Sequence, residues 1–119
     1  MSYSPQDLHK KILGRKGEKT VENYCKKQGY VILKRNYRTP FGEADLIAKD
    51  KDEIVFIEVK TRISDAFGQG IDAITPNKKM RYYQIAKCYA LELHEEPNAR
   101  FDVAQVDEQG NIDYFKNAF

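Results

Sequence analysis

The amino-acid sequence predicts one mixed α/β domain with the element order α-β-β-β-α-β-β. A capping residue followed by proline marks two helix starts, at Ser4-Pro5 and Thr75-Pro76. Runs of apolar residues bounded by turn residues predict the strands. No internal repeat, low-complexity tract or proline-rich linker divides the chain, and its length suffices for one modest core. We therefore expect residues 1–119 to form a single domain, with 1–13 as a partly flexible helical arm.

The first predicted helix begins with a capping box at residues 4–7. We expect it to be interrupted near Gly14 and Gly17, to run to about Gln28 and to stop at Gly29. The strand that follows covers residues 30–37, and a turn at residues 39–42 leads into a hairpin that ends near residue 62.

The hydrophobic pattern of this hairpin predicts its register. With the turn at Lys51-Asp52, one face is wholly apolar and the other carries the acids, whereas a slip of one residue would mix the faces. The apolar face pairs Leu46 with Ile57, Ala44 with Val59, and Ala48 with Val55. The opposite face pairs Ile47 with Phe56, Asp45 with Glu58, and Glu43 with Lys60.

The rest of the chain predicts a loop, a helix and two strands. The loop covers residues 63–74, with glycines at 68 and 70, and Pro97 bars the helix from continuing. The apolar positions of that helix recur at spacings of three and four, and they are Met80, Tyr83, Ala86, Ala90 and Leu93. The final strands are expected near residues 100–106 and 112–115.

Composition and charge narrow the classes of protein. No apolar run approaches the roughly 20 residues that cross a bilayer, and the N-terminus lacks the pattern of a secretory signal. Cys25 and Cys88 have no CxxC spacing, which favours reduced, packed thiols and a cytoplasmic location. Between His9 and Arg38, ten Lys or Arg residues face only two acids. This excess suits a polyanion such as nucleic acid, although a solvated lysine-rich surface explains it equally well.

Asp45 and Glu58 carry the functional hypothesis. Directly opposed residues in a hairpin have Cβ atoms about 4.5–5.5 Å apart. Two carboxylates at that distance repel each other by about 3 kcal/mol at an effective dielectric near 20. A divalent cation turns this repulsion into coordination, and Lys60 on the same face would stabilise negative charge or orient a water molecule. The alternative is a solvated acidic face with an ordinary Glu43–Lys60 ion pair.

Glu18 is a second clue, from the first helix. It lies about 20° from Cys25 and about 60° from Val21 around the helix axis. Because those residues are expected to face the core, Glu18 is expected to point inward, where a carboxylate needs a partner. The hairpin metal would be such a partner. A partly exposed glutamate at a helix boundary is the alternative.

These residues carry a family pattern. Asp45, Glu58 and Lys60 form D-x(12)-E-x-K, which resembles the PD-(D/E)xK superfamily of restriction-endonuclease-like nucleases, although Ala44 stands where that superfamily has proline. From about Gly14 to the C-terminus the chain more closely resembles the YraN family of small bacterial proteins, predicted nucleases related to archaeal Holliday junction resolvases. The motifs are Gly17-Glu18, Gly29-Tyr30, Asn36-x-Arg38, Gly42-Glu43-x-Asp45-Leu46-Ile47, Phe56-Ile57-Glu58-Val59-Lys60-x-Arg62, Phe67-Gly68, Lys78 and Arg100-Phe101-Asp102-Val103.

The resemblance implies a restriction-endonuclease-like fold, in which helices flank a central mixed β-sheet, and a metal-dependent endonuclease. Mg²⁺ or Mn²⁺ would be the cofactor, bound by Asp45, Glu58 and the backbone carbonyl of Val59. Lys60 would act on the attacking water. Glu18 is implied as a further catalytic residue and a candidate metal ligand. Glu43 is implied as a candidate metal ligand or as a residue that positions Lys60. Resolvases of this type cut paired DNA strands as dimers, so the resemblance also implies a homodimer.

Nucleic-acid contacts are expected from polar residues on both helices and the hairpin, because cations and helix N-termini hold phosphate. The candidates are Lys16, Lys19, Arg38, Arg62, Lys78, Arg81 and Gln84. Tyr82, Tyr83 and Tyr89 are either base-stacking or packing residues.

The leading hypothesis is a nuclease that hydrolyses DNA, with branched DNA as a candidate substrate. A nucleic-acid-binding module without catalytic activity is the alternative. A third hypothesis is a protein-interaction domain that uses the acidic C-terminal half, which predicts no salt-sensitive DNA binding.

Overall fold

A computed structural model describes residues 5–62 and 75–119, excluding the side chains of residues 5–13. The predicted order α-β-β-β-α-β-β is confirmed. The elements are α1 (Pro5–Lys27), β1 (Val31–Thr39), β2 (Gly42–Asp50), β3 (Glu53–Thr61), α2 (Pro76–Leu93), β4 (Asn98–Val106) and β5 (Ile112–Phe115). The predicted capping box at residues 4–7 and the predicted loop at 63–74 lie outside the described residues. Neither described helix is both long and apolar enough to cross a membrane.

The five strands form one mixed sheet in the order β1-β2-β3-β4-β5. Strands β1, β2 and β3 pair antiparallel, as do β4 and β5, whereas β3 and β4 run parallel. A parallel pair needs a crossover connection, and the segment that contains α2 makes this crossover. The N-terminal half therefore builds one antiparallel unit, and β4 joins it along β3.

One helix covers each face of the sheet, because successive strand residues point to opposite faces. On one face, Val21 and Cys25 of α1 pack with a cluster that includes Leu46 and Ile57. On the other face, the buried residues of α2 pack with a cluster that includes Phe56. Burial also raises the pKa of the Cys25 thiol to about 12, so this cysteine is an unreactive packing residue, as expected.

The first helix is continuous, so the predicted interruption near Gly14 and Gly17 is wrong. Gly17 is buried where α1 crosses β3, and a Cβ atom built there would collide with Thr61 Cγ2. Close packing, and not a break in the helix, explains this glycine. The predicted stop is confirmed within one residue, since α1 ends at Lys27 and Gly29 has φ +92°.

Gly17→Ala is expected to lower the free energy of unfolding, because overpacking against Thr61 costs about 1–3 kcal/mol. Gly14→Ala is the matched control, since a Cβ atom there meets nothing within 4 Å. The control should stabilise the protein by about 0.5–1 kcal/mol through helix propensity. Urea unfolding of both variants measures the difference, and Thr61→Ser should relieve the Gly17→Ala variant. Equal stabilisation by both alanines would contradict this interpretation.

The start of α2 is confirmed, whereas the apolar row at spacings of three and four is only partly buried, with Ala86 and Leu93 against the core. Thr75 caps the helix, since its hydroxyl accepts a hydrogen bond from the backbone N–H of Lys78 at 3.1 Å. Met80 and Tyr83 are 60% and 47% exposed. The fully buried row is Tyr82, Ile85 and Tyr89. Both rows have helical spacing because the helix is apolar on two sides, so periodicity alone does not identify the side that packs.

The hairpin register is confirmed at its closed end, where Leu46 pairs with Ile57 and Ala48 pairs with Val55. The described β2–β3 ladder ends there and does not include the predicted pairs Asp45–Glu58, Ala44–Val59 and Glu43–Lys60. Ala44 packs on the α2 face and not with Leu46, which corrects its predicted position. The physical reason is that the backbone N–H of Val59 donates to Asp45 Oδ2 at 2.7 Å. At this point of the ladder a side-chain oxygen is the acceptor in place of a backbone carbonyl.

Candidate active site

Asp45 lies at the open end of the hairpin, with its carboxylate between β2 and β3. Besides the Val59 hydrogen bond, it interacts electrostatically with the three other predicted acids, Glu58, Glu18 and Glu43. Burial, reinforced by the repulsion of these carboxylates, raises the pKa of Asp45 to about 7, although the Val59 N–H opposes the shift. Asp45 therefore lies within electrostatic range of acids on α1, β2 and β3.

Glu58 lies half-buried on β3 and forms an ion pair with Lys78 in the first turn of α2. The contact joins Lys78 Nζ to Glu58 Oε2, so this buried carboxylate oxygen has a cationic partner. Lys78 was expected to bind nucleic acid, and the structure instead places it against a predicted metal ligand. The Lys78 ammonium therefore already neutralises part of the acidic site.

Asn36 of β1 joins the two remaining acids. With its amide oriented to donate, its nitrogen lies 3.2 Å from Glu18 Oε1 and 3.1 Å from Glu43 Oε1. Asn36 has φ +51°, a conformation that asparagine tolerates better than most residues. Burial and the Glu43 charge raise the pKa of Glu18, while the Asn36 hydrogen bond lowers it. The inward orientation predicted for Glu18 is confirmed, since it is half-buried above the fully buried Val21.

Asn36 and Tyr82 are the members of this site that sequence reasoning missed. Asn36 occurs in the Asn36-x-Arg38 motif, which was the available signal for it. Tyr82 Oη is a buried side-chain polar atom without a hydrogen bond among the described residues. Nothing in the apolar pattern of α2 distinguished Tyr82 from its tyrosine neighbours.

Val59 and Lys60 lie near the C-terminal end of β3, and the backbone of Val59 contacts Asp45. Both are half-buried, and the Lys60 Cα is paired with that of Gln105 on β4. The N–H of Val59 donates to Asp45. The carbonyl of Val59 belongs to the same residue and is therefore close to that acid. Lys60 follows Glu58 by two residues in a regularly paired stretch of β3, so the two side chains share one face of the sheet.

The donor chemistry fits a hard divalent cation, because carboxylate and carbonyl oxygens are the ligands that Mg²⁺ and Mn²⁺ prefer. A metal ion would have to take the place of the Lys78 ammonium at Glu58 Oε2. Within residues 5–62 and 75–119, however, no three acidic, histidine or cysteine side chains are already gathered closely enough to hold a metal. Val59, Lys78 and Asn36 donate to or pair with the acids, so a cation would compete with these internal contacts.

The predicted nucleic-acid residues divide into those near the acids and one away from them. Arg38 is exposed and lies 3.9 Å from Glu43 Oε2, and the Arg81 side chain passes over Gly42. Lys16 and Lys19 flank Glu18 on α1, and they are exposed. Lys16 and Arg62 also line a small pocket next to Gly17. Gln84 instead lines an open groove between α2 and β4 with Tyr83 and Phe101.

Comparisons with known proteins place the chain in a family. Residues 17–106 match the model of "Uncharacterised protein family UPF0102". The UPF0102 protein of Thermodesulfovibrio yellowstonii is 43% identical over 107 residues, which are 90% of this chain and 95% of that protein. The UPF0102 protein of Clostridium acetobutylicum is 44% identical over 118 residues, covering 94% of this chain and 96% of that protein. The chain therefore belongs to the uncharacterised protein family UPF0102, which is the YraN family that its motifs resemble.

Proposed function

We propose that this protein is a metal-dependent endonuclease with a restriction-endonuclease-like fold, which hydrolyses DNA phosphodiester bonds in the cytoplasm. The observation that carries the proposal is the buried Asp45 carboxylate, whose pKa burial and the repulsion of Glu58, Glu18 and Glu43 raise to about 7. Such repulsion destabilises a protein unless a positive charge compensates it. The sequence separation of Asp45, Glu58 and Lys60 supports the same function.

Asp45, Glu58 and the Val59 carbonyl would hold Mg²⁺ or Mn²⁺, with Glu18 and Glu43 as further candidate ligands. When bound, the cation would lower the pKa of an attacking water and stabilise negative charge on a phosphate. The Lys60 ammonium would orient that water or stabilise the developing charge. Arg38, Arg81 and Lys78 lie near the acids and would hold the flanking phosphates.

The substrate and the oligomeric state in this proposal rest on the family resemblance. DNA is favoured over RNA, and branched over linear DNA, because the chain resembles the junction-resolvase branch of the superfamily. The same resemblance supports a homodimer, in which two sites would cut paired strands. Two unpaired thiols, Cys25 and Cys88, agree with a reducing compartment.

A DNA-binding module without cleavage is the second candidate. The observation that favours it is the internal neutralisation of the site, since Lys78 already pairs with Glu58 and no three-ligand group is preassembled in the described residues. In this case the acids would position basic side chains such as Lys78 on the surface, and the protein would bind DNA without a metal.

The experiment that tests the proposal titrates Mg²⁺ and Mn²⁺ with the wild type, Asp45→Ala and Lys60→Ala on branched and linear DNA. Both variants should lose at least about 100-fold in cleavage rate, the magnitude typical for removing a charge-stabilising or acid–base group. Asp52→Ala and Lys49→Ala are matched controls, because both residues are exposed near the opposite end of the hairpin. They should cleave like the wild type.

Each other outcome selects a different function. Cleavage that survives in both site variants would remove the proposed site. Tight binding without cleavage and without metal would select the DNA-binding module. Binding that is absent at all salt concentrations would favour the protein-interaction domain, because phosphate contacts are strongly salt dependent.

A further inference from the structure

Tyr82 is a buried tyrosine whose hydroxyl has no hydrogen-bond partner in the described structure. It is only 2% exposed, and its ring packs against Phe101 and Phe119. Buried polar groups in native proteins nearly always have a partner, so an orphaned hydroxyl points to a bound water or ligand. The Tyr82 hydroxyl therefore remains to be explained.

The fold places the Tyr82 hydroxyl within electrostatic range of Glu58. Lys78 and Tyr82 are four residues apart on α2, so they are neighbours on one face of the helix. Lys78 pairs with Glu58, and the next turn therefore presents Tyr82 beside the same acid. Burial, together with the charges of Glu58, Asp45 and Glu43, raises the pKa of Tyr82. A tyrosine hydroxyl is a hydrogen-bond donor at neutral pH.

We propose that Tyr82 is a positioning residue for Glu58, to which its hydroxyl donates a hydrogen bond through one water molecule. This contact holds the Glu58 carboxylate in the orientation that receives a divalent cation in place of Lys78. The inference rests on the proposed function, because the cation site is the one proposed above. It adds a residue that neither the D-x(12)-E-x-K pattern nor the basic surface contains.

A tyrosine that only packs predicts a different result. Phenylalanine keeps the ring contacts with Phe101 and Phe119, and it removes a hydroxyl that has no partner. A packing role therefore predicts that Tyr82→Phe leaves every property of the site unchanged. A positioning role predicts weaker cation binding, because groups that orient metal ligands typically contribute about 10–100-fold to metal affinity.

The test measures Mn²⁺ affinity by calorimetry with the full chain in the absence of DNA. Tyr82→Phe should weaken Mn²⁺ binding about tenfold, and the metal-free variant should still unfold in one cooperative thermal transition. Tyr89→Phe is the matched control, since Tyr89 is buried two turns later on α2 and interacts with Glu92 and not with the predicted acids. It should bind Mn²⁺ like the wild type.

A double-mutant cycle with Glu58→Gln identifies the group on which Tyr82 acts. Once Glu58 is replaced, adding Tyr82→Phe should cause no further loss of Mn²⁺ affinity. An additive loss or an unchanged affinity in Tyr82→Phe would each overturn the inference. If the wild type itself binds no Mn²⁺, the proposed function fails as well. If the wild type binds Mn²⁺ and cleaves DNA but Tyr82→Phe is unaltered, only this inference fails.

Discussion

Asp45→Asn is expected to make the protein more stable above neutral pH while abolishing metal-dependent cleavage. The Asp45 pKa is raised from 3.8 to about 7 in the folded protein, so the folded state holds this proton more tightly than the unfolded chain does. The stability that the protonated group provides is complete below pH 3.8 and is lost as the pH rises through 7. Asparagine carries no charge, and its Oδ1 can still accept the Val59 N–H.

The expected gain follows from the size of the shift. Each pKa unit corresponds to about 1.4 kcal/mol, so Asp45→Asn should raise the free energy of unfolding at pH 8 by on the order of 2–4 kcal/mol. The difference should shrink towards pH 4, where the folded wild-type carboxyl is protonated and the unfolded one is partly protonated. Activity should change in the opposite direction, because the asparagine amide is a poor substitute for a metal-binding carboxylate. Opposite effects on stability and activity are typical of functional sites.

Guanidinium unfolding in EDTA at several pH values between 4 and 8 measures the stability effect, and DNA cleavage measures the activity. Asp52→Asn is the matched control, because Asp52 is exposed in the hairpin turn, and its substitution should give no pH-dependent gain. If Asp45→Asn lowered stability equally at pH 5 and pH 8, its hydrogen bond to Val59 would outweigh the charge, and the interpretation of a functional cost would be wrong.

Arg100→Met is expected to lower the free energy of unfolding by about 3–5 kcal/mol, the range for breaking a buried ion pair on one side. Arg100 is 4% exposed, and its guanidinium bonds Asp102 at 3.1 Å, Asp50 at 2.8 Å and Glu53 at 2.9 Å. It also donates to the Tyr30 hydroxyl at 2.8 Å. The substitution would leave the carboxylate of Asp102, which is fully buried, without its cation.

Asp102 connects this cluster to the last strand. Besides Arg100, it accepts hydrogen bonds from the Tyr114 hydroxyl at 2.6 Å and from the Asn117 backbone N–H at 3.0 Å. The cluster thereby joins the hairpin tip, the start of β1, β4 and the C-terminal segment. The Arg100-Phe101-Asp102-Val103 motif is consequently explained by folding, and its charged residues lie outside the candidate active site.

Urea unfolding of three variants separates buried charge from lost packing. Arg38→Met removes an arginine whose side chain is 85% exposed, and it should cost less than about 0.5 kcal/mol. Arg100→Met combined with Asp102→Asn should recover part of the Arg100→Met loss, because no uncompensated charge then remains. A loss from Arg100→Met as small as that from Arg38→Met would show that the cluster contributes little to stability.

Local chemistry along the chain was sufficient for the elements and for part of the site. Proline after a capping residue starts α2 at Pro76, and Gly29 ends α1, because caps and left-handed residues act within a few positions. The pairing of Leu46 with Ile57 followed from alternation, since one slip would expose an entire apolar face. The D-x(12)-E-x-K spacing selected Asp45 and Glu58, and the fold does bring their carboxylates into interaction.

Contacts between distant parts of the chain lay beyond that reasoning. The Val59 N–H draws the Asp45 carboxylate between the strands, Lys78 from α2 reaches Glu58, and Asn36 joins acids on α1 and β2. The buried side of α2 and the Gly17 crossing likewise depend on how the helices dock. Periodicity and local propensity act over a few residues, whereas these arrangements follow from which surfaces meet once the sheet has formed. The identity of the acids was therefore readable from the sequence, but their partners arise only from packing.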